Sequence, residues 1–252
     1  MPLLTGGPPS ARPFEGQVAL VTGASGGVGR AVASALARHG ANVWLVARNR
    51  GRLAAVGNDI TTEHGVAEVF PLDLARDTDI ETLKEKLQQS SARVDVLVHC
   101  AGIIARGPLA TASPADFDEL YRVNVRGPYA LTRACLPLIT KVRGQIVFIN
   151  SSVVFRAARE AGQYAATKHA LRALADALRD EVNPEGVRVL SIFPGRTATP
   201  LQAASYAAEG RPYRADVLLQ PEDIAMVMLS ALTLPRTAEV TDISIRPLAK
   251  TY

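Results

Sequence analysis

The stretch Val18-Ala-Leu-Val-Thr-Gly-Ala-Ser-Gly-Gly-Val-Gly29 decides how this chain is read. Val18–Thr22 is a short apolar run of strand character, and the glycines after it stand at Gly23-x3-Gly27-x-Gly29. Gly23 permits a tight turn, Gly27 lets backbone approach a pyrophosphate, and Gly29 lets the next helix pack close to the strand. An Ala-rich helix follows to about His39. Its N-terminus would turn free N–H groups and a positive dipole end toward phosphate. The glycines carry meaning because a strand precedes them and a helix follows.

Outward from that turn, apolar runs alternate with helix-length segments. Strands are expected at Asn42–Val46, Val66–Leu72, Val94–His99, Gln145–Asn150, Val187–Phe193 and Val240–Arg246. Between them lie helical segments at Arg50–Glu63, Thr78–Gln89, Pro114–Val123, Val125–Val142 and Gly162–Val182, with Pro221 opening another. The strand runs are almost continuous in Val, Ile and Leu, as strands buried on both faces should be. Repeated strand–helix alternation predicts α/β architecture: a single Rossmann-type, doubly wound parallel sheet of about seven strands with helices on both faces. Residues 14–252 form this one domain, after a Pro- and Gly-rich flexible N-terminal tail at 1–13 that has no signal-peptide pattern. Leu201–Leu219 breaks the rhythm, and an irregular substrate loop is expected at about 200–220.

The composition, with 48% hydrophobic and 21% charged residues in 252, is that of an ordinary globular protein. Net charge is +4, but the 28 basic residues are scattered rather than arrayed in a stripe, so no nucleic-acid partner is expected. No apolar run reaches the roughly 18 residues a membrane span requires. The two cysteines, Cys100 and Cys135, lie in apolar segments, far from a disulfide framework, which points to a reducing, cytoplasmic setting. No metal site is expected.

A site for NAD places Asp or Glu roughly 20 residues past the glycine turn, to bind the ribose 2′-hydroxyl. Here the second strand ends Leu45-Val46-Ala47-Arg48-Asn49, without a carboxylate. Arg48, with Arg30 at the start of the first helix, offers planar, permanently charged donors suited to a 2′-phosphate, so NADP (NADPH) is expected over NAD. Further along, Tyr164-Ala-Ala-Thr-Lys168 puts a phenol and an amine at i and i+4 on one helix face. A nearby ammonium favours the phenolate, which would let the phenol act as acid or base nearer neutral pH.

With these motifs in order, the sequence resembles the classical short-chain dehydrogenase/reductase (SDR) family over nearly all of Phe14–Tyr252. The matching residues are Thr22-Gly-Ala-Ser-Gly-Gly-Val-Gly29, Asp73-Leu74, Ala101-Gly102, Asn124, Ser151 thirteen residues before Tyr164, Tyr164 with Lys168, and Pro194-Gly195-x3-Thr199. The resemblance implies an NADP(H)-dependent oxidoreductase, a carbonyl reductase or alcohol dehydrogenase acting on a small carbonyl or alcohol. Its implied catalytic set is Asn124, Ser151, Tyr164 and Lys168. Tyr164 would exchange the proton, Ser151 would bind the substrate oxygen, and Asn124 would support a water linking Lys168 to solvent. Its implied cofactor set is Gly23, Ser25, Gly27, Val28, Gly29, Arg48, Asp73, Leu74, Ala101, Gly102, Tyr164, Lys168, Pro194, Gly195, Thr197 and Thr199. The same resemblance implies a homodimer or homotetramer built on the helices Val125–Val142 and Gly162–Val182, whose leucines (131, 138, 171, 174 and 178) exceed what one sheet face needs.

Two departures stand out. His99-Cys100 occupies the place of the family's Asn-Asn, which could loosen the tie between the fourth strand and the cofactor pocket. Ser151-Ser152 is a tandem, and strand alternation would send the two hydroxyls to opposite faces. For the substrate, Phe155, Tyr206 and Tyr213 could form an aromatic wall, or Arg156, Arg159, Arg211 and Arg214 could hold an acidic group. Two other readings remain: a non-catalytic NADP-sensing protein on the same fold, or dehydration or epimerisation with the cofactor retained.

Overall fold

A computed structural model describes residues 12–89 and 93–249. Most of the expected N-terminal tail, residues 1–11, lies outside the described residues. Seven strands, β1 (Val18–Thr22), β2 (Asn42–Ala47), β3 (Val66–Pro71), β4 (Val96–His99), β5 (Gln145–Ile149), β6 (Arg188–Pro194) and β7 (Asp242–Ile245), form one sheet in the order β3-β2-β1-β4-β5-β6-β7. Every neighbouring pair is parallel. This is the doubly wound order, and its direction reverses between β1 and β4, where a crevice opens at the strands' carboxyl ends.

The helices are α1 (Gly27–Arg38), α2 (Arg50–Thr62), α3 (Asp77–Gln89), α4 (Pro114–Tyr121), α5 (Gly127–Lys141), α6 (Gly162–Val182), α7 (Pro200–Ala208) and α8 (Pro221–Leu232). Strand alternation sorts the core into two layers. Ala19, Val21, Val96, Val98 and Val147 face Val32 and Leu36 of α1, Leu53 and Ile60 of α2, and Ile224 and Met228 of α8. Leu20, Leu97, Ile146 and Phe148 face Leu83 of α3, Leu131 and Ile139 of α5, and Leu171 of α6. Only the edges depart from the double burial expected of the strands: Val66 and Val69 of β3 are exposed, and β7 alternates exposed with half-buried residues.

Two helical expectations change. The segments either side of Asn124 are one continuous run, because a π-helical turn at Arg122–Arg126 joins α4 to α5. Such wide turns often mark functional sites. The expected irregular loop at 200–220 instead begins with α7, nine residues long, followed by a 3₁₀ turn at Ala215–Val217. Pro200 sits at the first helical position, and Thr199 caps the helix by accepting from the Gln202 N–H at 3.1 Å. Of the leucines assigned to an interface, Leu131 and Leu171 are spent in the core, and Leu138 and Leu178 pack half-buried against it.

Candidate active site

The glycine turn owes its shape to contacts that admit no side chain. Gly23 has φ +67°, and a Cβ there would stand 2.8 Å from the Ala101 nitrogen. At Gly29 a Cβ would meet the Gly23 carbonyl oxygen at 2.3 Å, which fixes how closely α1 returns over β1. The N-cap of α1, Gly26, makes no side-chain cap, and the helix's first turn holds no acidic residue. Its end is therefore a positive, sterically open surface that suits a diphosphate. Thr22 stitches the crevice across the switch point: its Oγ1 accepts the N–H groups of both Cys100 and Ala101 at 3.1 Å. That bond keeps β4 tied to β1 despite the His99-Cys100 substitution.

One cleft of about 770 Å³ runs from this turn across the carboxyl ends of the strands. All of Gly23, Ser25, Gly27, Val28, Gly29, Arg48, Asp73, Leu74, Ala101, Gly102, Pro194, Gly195, Thr197 and Thr199 line it, together with Ser151, Tyr164 and Lys168. Arg48 is exposed at one end, and Arg52, which sequence reading passed over, stands with it. Arg30 does not join them, for it turns to Asp59 at 3.0 Å.

At the middle of the cleft Ser151 and Tyr164 share the lining. Burial raises the phenol's pKa above its usual value, and the Ser151 hydroxyl opposes that rise. Lys168 is buried one turn along α6, with Nζ 5.9 Å from the centre of the Tyr164 ring, and donates to the Ile149 carbonyl at 3.1 Å. Burial brings its pKa down to about 8. The shift of the phenol thus comes from burial and Ser151. The tandem serines are separated by backbone geometry other than strand alternation. β5 ends at Ile149, Ser151 is extended and accepts the Val153 N–H at 3.3 Å, and Ser152 starts a 3₁₀ turn. Both still line the cleft.

Asn124 lies outside the lining and is fully buried within the π turn. Its Oδ1 accepts the Ile103 N–H at 2.9 Å, and its Nδ2 donates to the Ile103 carbonyl at 2.9 Å and to Thr167 Oγ1 at 3.2 Å. The side chain therefore clamps both polar groups of Ile103 and ties α6 to the loop after β4. His99 also faces away from the cleft. Its Nε2 is 2.9 Å from Thr132 Oγ1, its ring stacks on Phe148 at 4.8 Å, and burial drives its pKa down to about 3. Cys100 does line the cleft, but burial pushes its thiol up to about 12, so it is not an activated nucleophile.

The expected aromatic wall is absent: Phe155, Tyr206 and Tyr213 do not line the cleft. Phe155 packs on Phe193, and Tyr213 meets Tyr206 edge-on. Arg159 pairs with Glu160 and Arg214 with Asp216, which leaves Arg156 as the expected arginine on the lining. Arg106 and Arg196 line it as well, and sequence reading missed both. Their signal was position: Arg196 directly follows the Pro194-Gly195 loop, and Arg106 lies four residues past Gly102, each beyond a strand's carboxyl end. Among the described residues, no group of three or more His, Cys, Asp or Glu is placed to hold a metal ion, and no helix is long and apolar enough to cross a membrane.

Residues 17–210 match the short chain dehydrogenase family. An uncharacterized oxidoreductase of Staphylococcus aureus (strain USA300) is 30% identical over 233 residues, 92% of this chain and 97% of the relative. The structure of an alcohol dehydrogenase from the archaeon Thermococcus sibiricus, complexed with 5-hydroxy-NADP, superposes with a TM-score of 0.84 at 29% identity, covering 94% of this chain and 98% of that one. A metagenomic short-chain oxidoreductase in complex with NADP gives 0.81 at 32% identity, covering 94% and 99%. Fold, motif order and these likenesses agree: the chain belongs to the classical short-chain dehydrogenase/reductase family of oxidoreductases.

Proposed function

We propose that the protein is an NADP(H)-dependent oxidoreductase that moves hydride between the nicotinamide and a carbonyl or secondary alcohol, with Tyr164 as general acid/base. The observation that carries this reading is that Ser151, Tyr164 and, one helical turn on, a buried Lys168 line the same cleft as the glycine turn. The chain's residues fit the cofactor: the turn excludes side chains where a diphosphate needs backbone approach, and Arg48 and Arg52 on the same lining would supply guanidinium groups to a 2′-phosphate. The two NADP-type complexes among the similar structures support the same preference. When bound, the nicotinamide supplies or accepts the hydride.

The rest of the chemistry belongs to the chain. Ser151 donates to the substrate oxygen and stabilises negative charge there. Tyr164 is held protonated by burial, the form needed to give its proton to a carbonyl oxygen; in the oxidative direction it takes the proton back. Lys168, anchored through Ile149, would hold the nicotinamide ribose, and its ammonium would favour the phenolate as the proton leaves. Asn124 acts as a positioning residue through Ile103 rather than by touching substrate. Asp73 and Leu74, on the lining, would serve the adenine, and Pro194, Gly195, Thr197 and Thr199 the nicotinamide side. The free thiols Cys100 and Cys135 support a cytoplasmic setting. Exposed Phe117, Tyr121 and Tyr129, on α4 to α5, support a homodimer or homotetramer.

Fluorescence titration with NADPH and NADH, followed by an absorbance assay over a panel of carbonyls and alcohols, tests the reading. NADPH should bind more tightly, and at least one panel compound should turn over. Equal or reversed affinities would remove the role given to Arg48. Tight NADPH binding without turnover of any compound would favour the sensing protein.

A further inference from the structure

The end of the cleft beyond Tyr164 is built from three guanidinium groups around one carboxylate. Glu209, just past α7, accepts from Arg106 at 3.2 Å, Arg196 at 3.0 Å and Arg211 at 3.2 Å, and from the Ser205 hydroxyl at 3.2 Å. Its side chain is only 12% exposed, while Arg106 and Arg196 keep 22% and 25% exposure and line the cleft. Burial alone would raise the Glu209 pKa, but Arg196, Arg106 and Arg211 together hold it below the usual carboxylate value. Tyr206 locks the arrangement, with Arg196 4.6 Å and Arg211 5.1 Å from its ring centre.

The positive charge exceeds what Glu209 balances. Arg106, Arg156 and Arg196 all line the cleft, and the only carboxylate among the described lining residues, Asp73, belongs to the stretch that follows β3. An excess of cations in a walled cleft attracts anions.

Resting on the reading of this cleft as an oxidoreductase site, we infer that the substrate carries a carboxylate remote from its reacting carbon, and that Arg106, Arg196 and Arg156 bind it. Glu209 shows that a carboxylate fits these guanidiniums. Its own role is to pre-position Arg106 and Arg196 and to keep part of their charge in reserve.

Calorimetric titration of the protein, loaded with whichever oxidised nicotinamide dinucleotide it binds more tightly, tests this without requiring turnover. The probes are 4-oxopentanoate, 5-oxohexanoate and 6-oxoheptanoate, each beside its methyl ester. At least one acid should bind about 10-fold or more tightly than its ester, as charge-assisted hydrogen bonds imply. Arg106→Gln should remove most of that advantage while ester affinity stays. Arg156→Gln, at an exposed position outside the Glu209 network, should reduce the advantage even if Arg106→Gln disturbs folding. Glu209→Gln should increase it. An acid-to-ester ratio near one, a ratio unchanged in Arg106→Gln and Arg156→Gln, or no binding of any probe would each overturn the inference. Acid-selective binding without turnover would leave it standing and count instead against the proposed hydride chemistry.

Discussion

The two ends of the cleft are made in different ways. At the glycine-turn end, shape comes from backbone: Gly23 and Gly29 create the space, and the free end of α1 supplies the polarity. Arg48 and Arg52 stand exposed at its margin. At the far end, shape and polarity come from side chains 13 to 103 residues apart, with Arg106, Arg196 and Glu209 fixing one another. A backbone cradle tolerates little change and recognises a constant group. A side-chain network can be rebuilt with few substitutions, which suits the part of a molecule that selects its substrate.

Tyr164 sits where the two ends meet, so removing its hydroxyl should separate chemistry from binding more completely than any other change. Tyr164→Phe should lower turnover by roughly 10² to 10⁴. Dinucleotide affinity and thermal midpoint should stay near those of the parent. Steady-state rates beside fluorescence titration check this, and a variant that keeps full activity would break the assignment of the proton to Tyr164.

The support beneath the far end should be the next most costly to lose. Asn124→Ala deletes all three hydrogen bonds of a fully buried amide and orphans both backbone groups of Ile103. A loss of about 2–4 kcal/mol in stability is expected. Urea unfolding measures it, and a loss of less than about 1 kcal/mol would mean that the loop after β4 finds other partners.

Arg48→Asp tests the glycine-turn end alone. It replaces a cation with a group that repels a 2′-phosphate and can accept from a ribose hydroxyl, so the NADPH-to-NADH affinity ratio should fall by about 10- to 100-fold. Turnover of the bound complex should hardly change. A smaller shift would move the recognition to Arg52, which Arg52→Gln then reveals.

The difference between the ends also explains what could be read in the sequence. The glycine turn, β2 with Arg48, and Tyr164 with Lys168 are local patterns, and periodicity alone gave the strand–helix order. The Arg106–Arg196–Glu209 cluster had no local signature, since it exists only because the loops after β4 and β6 meet the end of α7. α7 itself was legible in retrospect: Thr199-Pro200 is a cap followed by a first-turn proline, and Leu201–Ala208 is rich in helix formers. The mixed polarity of the segment as a whole concealed it. Asn124 was found by motif, but its clamp on Ile103 depends on a π turn that no sequence period announces.

The smallest expected effect lies at the seam between the two regions, at the end of β4. His99 and Cys100 are adjacent, yet His99 packs against Thr132 and Phe148 under α5 while Cys100 reaches the cleft. Burial depresses the His99 pKa from 6.5 to about 3, so between those values the unfolded chain holds a proton that the folded chain does not. More protons bound in the unfolded state means that stability rises with pH, and acidification below pH 6.5 costs up to about 1.4 kcal/mol per pH unit through this residue. His99→Gln removes that titration while keeping a hydrogen-bonding group near Thr132. Comparing urea unfolding at pH 7 and pH 5.5 cancels any constant loss from the altered packing. The parent should lose about 1 kcal/mol more than His99→Gln over that interval. Equal losses would show that His99 can be protonated in place, and the seam would then be looser than its stacked ring and short Thr132 contact describe.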